Sequence, residues 1–462
     1  MRTATHLNLK NTFLLILTLL MVPGMILAQV SPGATITTDL TLTADLDASS
    51  YAGTALIVGA NNITIDGAGY TITVNGNNFA FDLSSRSGVT IQNVTVVGTA
   101  SQQGRGVLLG NTNTAVIQNN TFSGLYDGLF AQGTNSTCTI TGNDMSGSGT
   151  GFSSQTYVNN VQFTVTDNNM TNCTGWAMAY QGTPAEINGN DFSGSASGLL
   201  LQNAVRSAGN EFVMTWQGEA SGPNKNTFGD HTALLMQLHG SQFLDITGWD
   251  FASLYAAGTN LTQKQGIYLG NTHNSTFANN TFSGLGYGIY ATGTNNNNTV
   301  SGNTMTGCGQ GLGMDTYVNN GLWTITNNDM TNCTGWAMAY QGNPAEINGN
   351  DFSGSASGLI LLNAVRSAGN EFVMTWQGEA SGPNKNTFGD HSAVLMQLHG
   401  SQFLDITGWD FASLYAAGTN LTQKQGIYLG NTPKKAHSEC WIGAGASGPI
   451  PIPGTGDQHL GL

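Results

Sequence analysis

The feature that most constrains this chain is a long internal repeat with a period of about 160 residues. Residues 171–272 recur as residues 331–432 with five differences, all of them mild. The stretch that precedes each copy repeats at the same offset, but more loosely. Repetition at a fixed period is typical of stacked architectures, in which each unit buries its apolar face against its neighbours. We therefore expect one long array and not several independent globular domains.

A shorter period lies inside the long one and is marked by the pattern Asn-x-(Phe/Met). The apolar anchors of this pattern are Phe122, Met145, Met170, Phe192, Phe212, Phe228, Phe251 and Phe282, and Trp249 replaces the asparagine before Phe251. The spacing between anchors is irregular around Phe212, where it shortens, and before Phe282, where it lengthens. The long repeat is therefore predicted to contain seven coils, with the second copy about 34 Å from the first at ~4.8 Å per coil.

A period of roughly 23 residues, with Gly, Asn and β-branched residues in fixed columns, predicts an all-β parallel solenoid of stacked coils. Each coil lays down short strands that pair in parallel with the next coil, ~4.8 Å away. Buried asparagines can then pass amide hydrogen bonds from coil to coil. The predicted ladder consists of Asn120, Asn143, Asn168, Asn190, Asn210, Asn280, Asn303, Asn328 and Asn350.

Further columns accompany the ladder. An apolar column lies five residues before the anchors, at Ile117, Ile140, Val165 and Ile187. Gly124, Gly147 and Gly194 follow the anchors and are expected to form tight turns. A β-propeller would need blades of roughly 40 residues, and a left-handed hexapeptide helix would need a period of about six residues. Neither period is present, so both folds are disfavoured.

Composition excludes several classes of function. Charged residues make up 8% of the chain, the formal net charge is −14, and Lys and Arg form no cluster, so a nucleic-acid binder is not expected. The five cysteines are odd in number and lack metal-ligand spacing, so we expect neither a disulfide framework nor a zinc site. We expect a monomer.

The N-terminus has the pattern of a signal peptide. Arg2 and Lys10 precede an apolar run over residues 13–22, and cleavage is expected before Gln29. No later apolar stretch approaches the ~20 residues that a membrane-spanning helix needs. We therefore predict a signal peptide at residues 1–28, no membrane span, and a mature protein that is secreted or held at the cell surface.

Two segments resemble a known family. Residues 62–72, Asn-Ile-Thr-Ile-Asp-Gly-Ala-Gly-Tyr-Thr-Ile, and residues 88–96, Gly-Val-Thr-Ile-Gln-Asn-Val-Thr-Val, resemble the opening coils of right-handed parallel β-helix proteins of the pectin-lyase-like superfamily. The resemblance covers roughly residues 35–432. It implies a right-handed helix in a single elongated domain. It does not imply one activity, because the superfamily includes lyases, glycoside hydrolases, epimerases, adhesins and non-catalytic surface proteins.

The resemblance also sets the expected domain organisation. The β-helix is expected over residues 29–432, with tandem repeats at about 113–272 and 273–432. Residues 433–462 break the pattern with a low-complexity stretch, and we expect this tail to be irregular and disordered. The interruption could come from truncation or from a shifted reading frame.

The signatures of the superfamily's enzymes are largely missing. The sequence contains no Asp-Asp pair and no Arg-Ile-Lys motif, and His-Gly occurs at His239 and His399 without those partners. The catalytic residues are therefore unknown, and catalysis is not the favoured interpretation. Single aspartates beside ladder asparagines, such as Asp144 and Asp329, could bind calcium, although such residues usually cap backbone amides. No other metal or cofactor is expected.

One charged segment lies between Arg206 and Asp250, where the coil spacing is irregular, and it recurs in the second copy. Irregular coils imply loops on a rigid scaffold, which is where sites are commonly built. We predict Trp216 as a sugar-stacking platform with a polar rim. The candidate ligand-binding residues are Trp216, Glu219, Lys225, Asp230, His231, His239, Trp376, Glu379, Lys385, Asp390, His391 and His399. The alternative interpretation is two solvated loops that carry local ion pairs.

These observations favour an exported, non-catalytic β-helix protein that is adhesive or associated with polysaccharide. The alternative is a polysaccharide lyase or glycoside hydrolase that acts at the charged loops. An enzyme would place an acid or base within hydrogen-bond reach of a partner in a groove, whereas a structural array would spread the charges over its surface.

Overall fold

The computed structural model of the protein describes residues 30–155, 157–218, 225–315, 318–366, 370, 372–377, 385–401, 404–406, 409–421, 425–430, 441–442 and 458–461. The predicted signal peptide lies outside the described residues, and so do Glu219 and Glu379.

A long parallel sheet, hereafter the long sheet, forms one side of the solenoid. Successive coils add its strands in order. The strands are Ala34–Ile36, Leu56–Val58, Phe79–Asp82, Arg105–Gly110, Asp127–Gln132, Thr150–Ser154, Trp176–Thr183, Ser197–Gln202, Met236–His239, Gln265–Gly270, Tyr287–Thr292, Gln310–Met314, Trp336–Asn343, Ser357–Leu362, Met396–His399 and Gln425–Gly430. Thr134–Ser136, Asn159–Val161, Thr294–Asn296 and Asn319–Gly321 extend four of the coils.

A second side is built from shorter strands. Its first part consists of Leu40–Thr41, Thr64–Asp66, Thr90–Gln92, Val116–Gln118, Thr139–Thr141, Thr164–Thr166 and Glu186–Asn188. Its continuation consists of Phe212–Val213, Leu244–Thr247, Thr276–Ala278, Thr299–Ser301, Thr324–Thr326 and Glu346–Asn348, and later of Phe372–Val373, Leu404–Ile406 and Trp441–Ile442. The third side has the strands Leu46–Asp47, Thr71–Val74 and Thr95–Gly98, followed by single parallel bridges such as Thr121 with Asp144.

Helical structure in the described residues is limited to the short 3-10 turns Ala252–Leu254, Leu261–Gln263 and Phe411–Leu414. The protein is thus an all-β parallel solenoid in one elongated domain, which confirms the predicted fold class. The interior is apolar because inward positions repeat from coil to coil. Ile117, Ile140, Val165 and Ile187 pair in direct register and are at most 1% exposed.

The predicted asparagine ladder runs beside this core. The Nδ2 of Asn143 donates to the Oδ1 of Asn168 at 2.9 Å, and the backbone N–H of Asn143 donates to the same oxygen at 3.0 Å. The same Nδ2 also donates to the carbonyl of Ile117 at 2.9 Å. The pattern repeats from Asn168 to Asn190. Each amide therefore joins the coils on both sides of it and satisfies a turn carbonyl inside the core.

The prediction for Asn210 is wrong. Asn190 donates across 36 residues to Asn226, which is fully buried and forms the next rung, whereas Asn210 is exposed. The two short spacings on either side of Phe212 therefore belong to one wide coil. In the second copy the ladder runs through Asn280, Asn303, Asn328, Asn350 and then Asn386.

The long repeat consequently contains six coils and not seven. Successive partners in the long sheet run from Val107 through Leu129, Phe152, Met178, Leu199 and Met236 to Ile267. The two copies are therefore about 29 Å apart at ~4.8 Å per coil, and not about 34 Å.

Turns beside the ladder need a left-handed backbone. The residue before a ladder asparagine has φ of 54° at Asn119, 65° at Gly142 and 57° at Asp167. Asn, Gly and Asp are the residues that tolerate this conformation best. The predicted turn glycines Gly124 and Gly147 also have positive φ, at 71° and 66°.

Two segments of the tail are described, and both are strands. Trp441–Ile442 pairs in parallel with Leu404–Ile406, and Gln458–Gly461 pairs antiparallel with Gln425–Gly430. The other tail residues, for which disorder is predicted, lie outside the described part of the chain.

We predict that Asn168→Ala lowers the free energy of unfolding by about 1–3 kcal/mol, because the two donors of Asn143 lose a buried acceptor. Asn210→Ala is the matched control and should change it by less than about 0.5 kcal/mol, since Asn210 is exposed. Urea denaturation of the three proteins measures both values. Equal effects of the two substitutions would contradict the ladder.

We also predict that a chain lacking residues 171–330 folds. Thr331 would then follow Met170 as it natively follows Met330, and the coils that stack at the junction would have nearly the same sequences as in the intact chain. The solenoid should shorten by about 29 Å, which small-angle X-ray scattering measures. A chain lacking residues 171–319 joins the coils out of phase and should aggregate. Aggregation of the first variant would refute the interchangeability of the copies.

Candidate functional site

The charged segment does not assemble into a common site. Arg206 turns back onto the preceding coil, where its Nη2 donates to the carbonyls of Pro184 and Ala185 and its guanidinium lies 5.9 Å from the ring centre of Phe212. Arg206 therefore stabilises the turn at Pro184 and Ala185. Asp230 is exposed and has a left-handed φ of 53°.

The histidines of this segment lie in different environments. His231 is fully buried, and its Nδ1 is 2.8 Å from the carbonyl oxygen of Ser195. Burial lowers the pKa of His231, and burial likewise lowers that of His391 in the second copy. These residues are core histidines and do not form a polar rim. His239 and His399 instead lie half-buried on the outer face of the long sheet.

Trp216 is 8% exposed and Trp376 is 6% exposed, so neither ring offers a face to a sugar. Trp216 stacks on Trp249 at 5.6 Å between ring centres, and Trp249 stacks on Phe251 at 5.4 Å. The predicted stacking platform is therefore part of the core. Sequence reasoning missed this because polar neighbours along the chain suggested an exposed loop. Lys225 and Lys385 are half-buried, and Asp390 is exposed.

A different group of aromatic residues lies on the outer face of the long sheet. We call Tyr268, Tyr287 and Tyr290 the tyrosine patch. The ring centres of Tyr287 and Tyr290 are 4.8 Å apart, and those of Tyr268 and Tyr290 are 5.9 Å apart. All three side chains are half-buried, whereas the alternate residues Ile289 and Ala291 are fully buried. Tyr290 is thus the exposed member of an alternation with Ile289 and Ala291, whereas Tyr287 lies at the first residue of the strand, before the alternation begins.

Small residues and hydrogen bonds hold the patch in place. A Cβ added to Gly313 would lie 2.4 Å from the Tyr287 ring, so that ring lies flat over the backbone of the next coil. The hydroxyl of Thr292 donates to the hydroxyl oxygen of Tyr268 at 3.0 Å. Burial, followed by the nearby charge of Asp315, raises the pKa of Tyr290. The Tyr290 hydroxyl therefore stays protonated and able to donate at neutral pH.

A loop over residues 256–264 borders the patch on one side. The backbone N–H of Tyr287 donates to the carbonyl of Lys264 at 3.1 Å, and that of Gly286 donates to the carbonyl of Leu261 at 2.9 Å. The Nζ of Lys264 donates to the carbonyl of Thr232, which ties the loop to the preceding coil. The patch therefore lies on the surface of the sheet, next to this loop.

The corresponding position in the first copy has different chemistry. Arg105 and Asp127 face each other on neighbouring strands, with the Nε of arginine 3.2 Å from an Oδ2 that is buried. The guanidinium lies 5.3 Å from the ring centre of Phe79 and 4.8 Å from those of Tyr126 and Phe130. Burial raises the pKa of Asp127 to about 6, against the opposing effect of Arg105.

Sequence reasoning did not single out either outer-face group. Arg105 and Asp127 correspond to Gln265 and Tyr287 at the offset between the two copies, within the loosely repeated stretch. One sequence signal could have found these groups. In the loosely repeated stretch, outward-facing strand positions differ between the two copies, whereas the ladder asparagines and the apolar anchors are the same.

Metal ligands are not brought together in the described part of the chain, which contains no group of three or more His, Cys, Asp or Glu that could hold a metal ion. The turn aspartates cap amides, as Asp144 accepts from the N–H of Ser146 at 3.0 Å. Cys138, Cys173, Cys308 and Cys333 are free and buried, and burial raises their thiol pKa to about 11 or 12.

Comparisons with known families agree with the fold. The family model described as "Right handed beta helix region" matches residues 105–215, and the model described as "Periplasmic copper-binding protein (NosD)" matches residues 224–392. Together with the observed solenoid, these matches confirm the predicted resemblance to right-handed parallel β-helix proteins. A comparison with curated proteins finds no match.

Solved structures of similar shape include phage proteins and an enzyme module. The Dettilon tailspike protein is 12% identical with a TM-score of 0.25, over 86% of this chain and 60% of its own. The bacteriophage CBA120 tailspike protein 3 is 12% identical with a TM-score of 0.27, over 90% and 55%. The A-module of the Azotobacter vinelandii mannuronan C-5 epimerase AlgE6 is 11% identical with a TM-score of 0.29, over 87% and 92%. The chain therefore spans less than two thirds of either tailspike, and values this low carry no information about its activity.

The copper named by one family model was tested against the side chains in the matched region. The Nδ1 of His231 and of His391 contacts a backbone carbonyl, at 2.8 and 2.9 Å, which leaves Nε2 as the possible ligand atom of each ring. Each Nε2 is buried without a partner, but in the described residues it belongs to no group of three or more potential metal ligands. The thiols of Cys308 and Cys333 are buried and directed at the carbonyls of Phe282 and Met330, at 3.1 and 3.3 Å. The described residues therefore do not fit a copper site. The same part of the chain contains no apolar helix of membrane-spanning length.

We predict that Asp127 makes the stability of the protein depend on pH. Its pKa is raised from 3.8 to about 6 in the folded state, so its contribution to stability is fully present below pH 3.8 and is lost as the pH rises through 6. Relative to Asp127→Asn, the free energy of unfolding of the wild type should fall by about 2 kcal/mol between pH 4 and pH 6.5. Urea denaturation across this range tests the prediction, and parallel profiles would refute it.

Proposed function

We propose that this chain is an exported, non-catalytic β-helix protein, secreted or held at the cell surface, that binds polysaccharide along the outer face of its long sheet. The observation that carries the proposal is the tyrosine patch, in which three half-buried rings lie on the exterior of the solenoid and Tyr290 contacts both of the others. Such groups of aromatic side chains on a surface commonly mark binding sites.

The chemistry of the patch suits a sugar. A pyranose ring has apolar C–H faces and a rim of hydroxyl groups, so it can bind a flat aromatic face and hydrogen-bonding groups together. Tyrosine supplies both properties in one side chain. Gln310, which pairs with Tyr287 on the following coil and is half-buried, adds an amide group. A small number of convergent polar groups around apolar surface is typical of ligand sites.

The scaffold favours binding without rearrangement. Tyr287 lies on a strand that pairs in register with both neighbouring strands, and its ring is seated over Gly313. A ligand therefore needs to immobilise few side chains, which lowers the entropic cost of association. Because the sheet continues over many coils, a linear glycan could contact several of them at once and gain avidity.

Export is supported by two observations. The sequence predicts a signal peptide at residues 1–28, and the family model that matches residues 224–392 describes a periplasmic protein. Both observations favour a location outside the cytoplasm, and the proposal adopts it.

The alternative function, a lyase or glycoside hydrolase acting at the charged loops, has less support. General acid or base chemistry there would need Asp230, His231 and Arg206 around one substrate. Asp230 is exposed, His231 is fully buried, and Arg206 is engaged by Pro184 and Ala185. Measuring polymer cleavage in the binding experiment below tests this alternative directly.

We predict that the wild type binds at least one glycan in a panel of plant, algal and bacterial polysaccharides and leaves it intact. Tyr287→Ala should weaken that binding about tenfold, because a stacking face and its hydrogen bond are lost. Tyr157→Ala is the matched control, since Tyr157 is 94% exposed and lies outside the patch, and it should bind as the wild type does. Calorimetry gives the affinities, and chromatography of the recovered glycan reports cleavage. The proposal fails if no glycan binds or if Tyr287→Ala binds undiminished.

A further inference from the structure

Arg105 is held by its surroundings in an unusual way. Three aromatic rings lie within 5.3 Å of its guanidinium, and Asp127 approaches its Nε. The side chain of Arg105 is still 19% exposed. No hydrogen bond from its Nη atoms is found within the described part of the chain. The rings therefore fix the position of the cation while the Nη edge can bind an incoming acceptor.

Asp127 is the second part of the arrangement. Its side chain is 4% exposed, and its Oδ2 faces the guanidinium without a hydrogen bond of good geometry. An ionised carboxylate here neutralises Arg105 and repels any anion that approaches the Nη edge. A protonated carboxyl would remove the repulsion and add one O–H donor beside the guanidinium.

We propose that Arg105 and Asp127 form a proton-gated binding site for an oxyanion, such as a sulfate ester or a carboxylate on a glycan. The ionised form of Asp127 closes the site, and its protonated form opens it. The site is separate from the tyrosine patch and does not depend on the function proposed for that patch.

Few other charges act on the pair. On the preceding strand, the charged residue is Asp82, whose Oδ1 accepts from the N–H of Ser84 at 2.8 Å. On the following strand, Thr150 pairs with Asp127, and Ser153 contributes a hydroxyl. Gating therefore depends on Asp127 itself, whose pKa of about 6 lies in the range where a mildly acidic exterior would protonate it.

The overall charge makes the site more specific. The chain carries a formal net charge of −14, with 12 Lys and Arg residues in 462. A polyanion should therefore be repelled by most of the surface at neutral pH. Because the eight histidines also gain charge in acid, the double variant of Arg105 and Asp127, and not the pH dependence alone, assigns the binding to this pair. By linkage, a bound oxyanion also raises the pKa of Asp127.

The experiment compares dextran sulfate, carboxymethyl dextran and uncharged dextran at pH 5 and pH 7, by biolayer interferometry with the full chain. The wild type should bind an anionic polymer about tenfold more tightly at pH 5 than at pH 7. Asp127→Asn should bind at both pH values as tightly as the wild type does at pH 5. Uncharged dextran reports binding that needs no anion, and Tyr287→Ala should leave the acid-enhanced binding unchanged, so failure of the function proposed for the tyrosine patch would not be mistaken for failure of this site.

The second copy supplies a folded control. The double variant Arg105→Gln, Asp127→Tyr installs the residues that Gln265 and Tyr287 provide at the same positions of the next repeat, and it should keep the cooperative unfolding of the wild type. It should lose the acid-enhanced binding. Binding of one or both anionic polymers in this pattern supports the proposal and identifies the oxyanion. The proposal is overturned if neither polymer binds, if wild-type affinity does not change with pH, or if the double variant keeps the enhancement.

Discussion

The structure depends on the hydrogen bonds of the asparagine ladder. Each ladder Oδ1 accepts two N–H groups from the neighbouring coil, and each Nδ2 also reaches a backbone carbonyl in the core, as Asn168 does with Ile140. These amides are almost fully buried, so a displaced coil would leave several polar groups without partners. The ladder therefore fixes the register of the coils. Register in turn decides which side chains point inward and which align on the outer faces, including every residue of the two groups on the long sheet.

The break in the ladder at Trp249 shows what replaces an amide. Trp249 occupies a rung, and its backbone N–H still donates to Asn280 at 2.9 Å. Its indole packs against Trp216 and Phe228 instead of passing on an amide hydrogen bond, and its Nε1 is buried without a partner in the described part of the chain. Aromatic packing thus compensates for lost polar contacts at the point where the chain leaves the regular path. Asn226, the rung before Trp249, ends a coil of 36 residues, and the turn after Trp249 forms the loop that borders the tyrosine patch. The irregular part of the ladder at Trp249 therefore lies close to the tyrosine patch on the outer face.

Much of the fold could be predicted because inward positions must repeat. Phe122, Met145 and Met170 recur with their asparagines, and the structure buries all of them. The prediction for Asn210 was wrong because Asn-x-Phe is a short pattern that can also occur in an insertion, and only the pairing with Asn190 identifies Asn226 as the rung. The candidate site was harder to predict. Trp216 and His231 lie among polar residues in sequence but fold back into the core. The tyrosine patch comes together only through lateral pairing of strands, which no local pattern reports.

The two copies show how such a scaffold can change its chemistry. Between residues 105–130 and 265–290 the ladder asparagine and the anchor are the same, while Arg105, Leu108, Asp127 and Phe130 become Gln265, Tyr268, Tyr287 and Tyr290. These four positions belong to one face and lie on paired strands, so they can vary together without disturbing the interior. The register of the coils does not depend on these four side chains, because it is set by the ladder on the other side of the core. A solenoid of this kind can therefore hold a charged site and a neutral aromatic site six coils apart on one surface. A polymer lying along that surface would meet both.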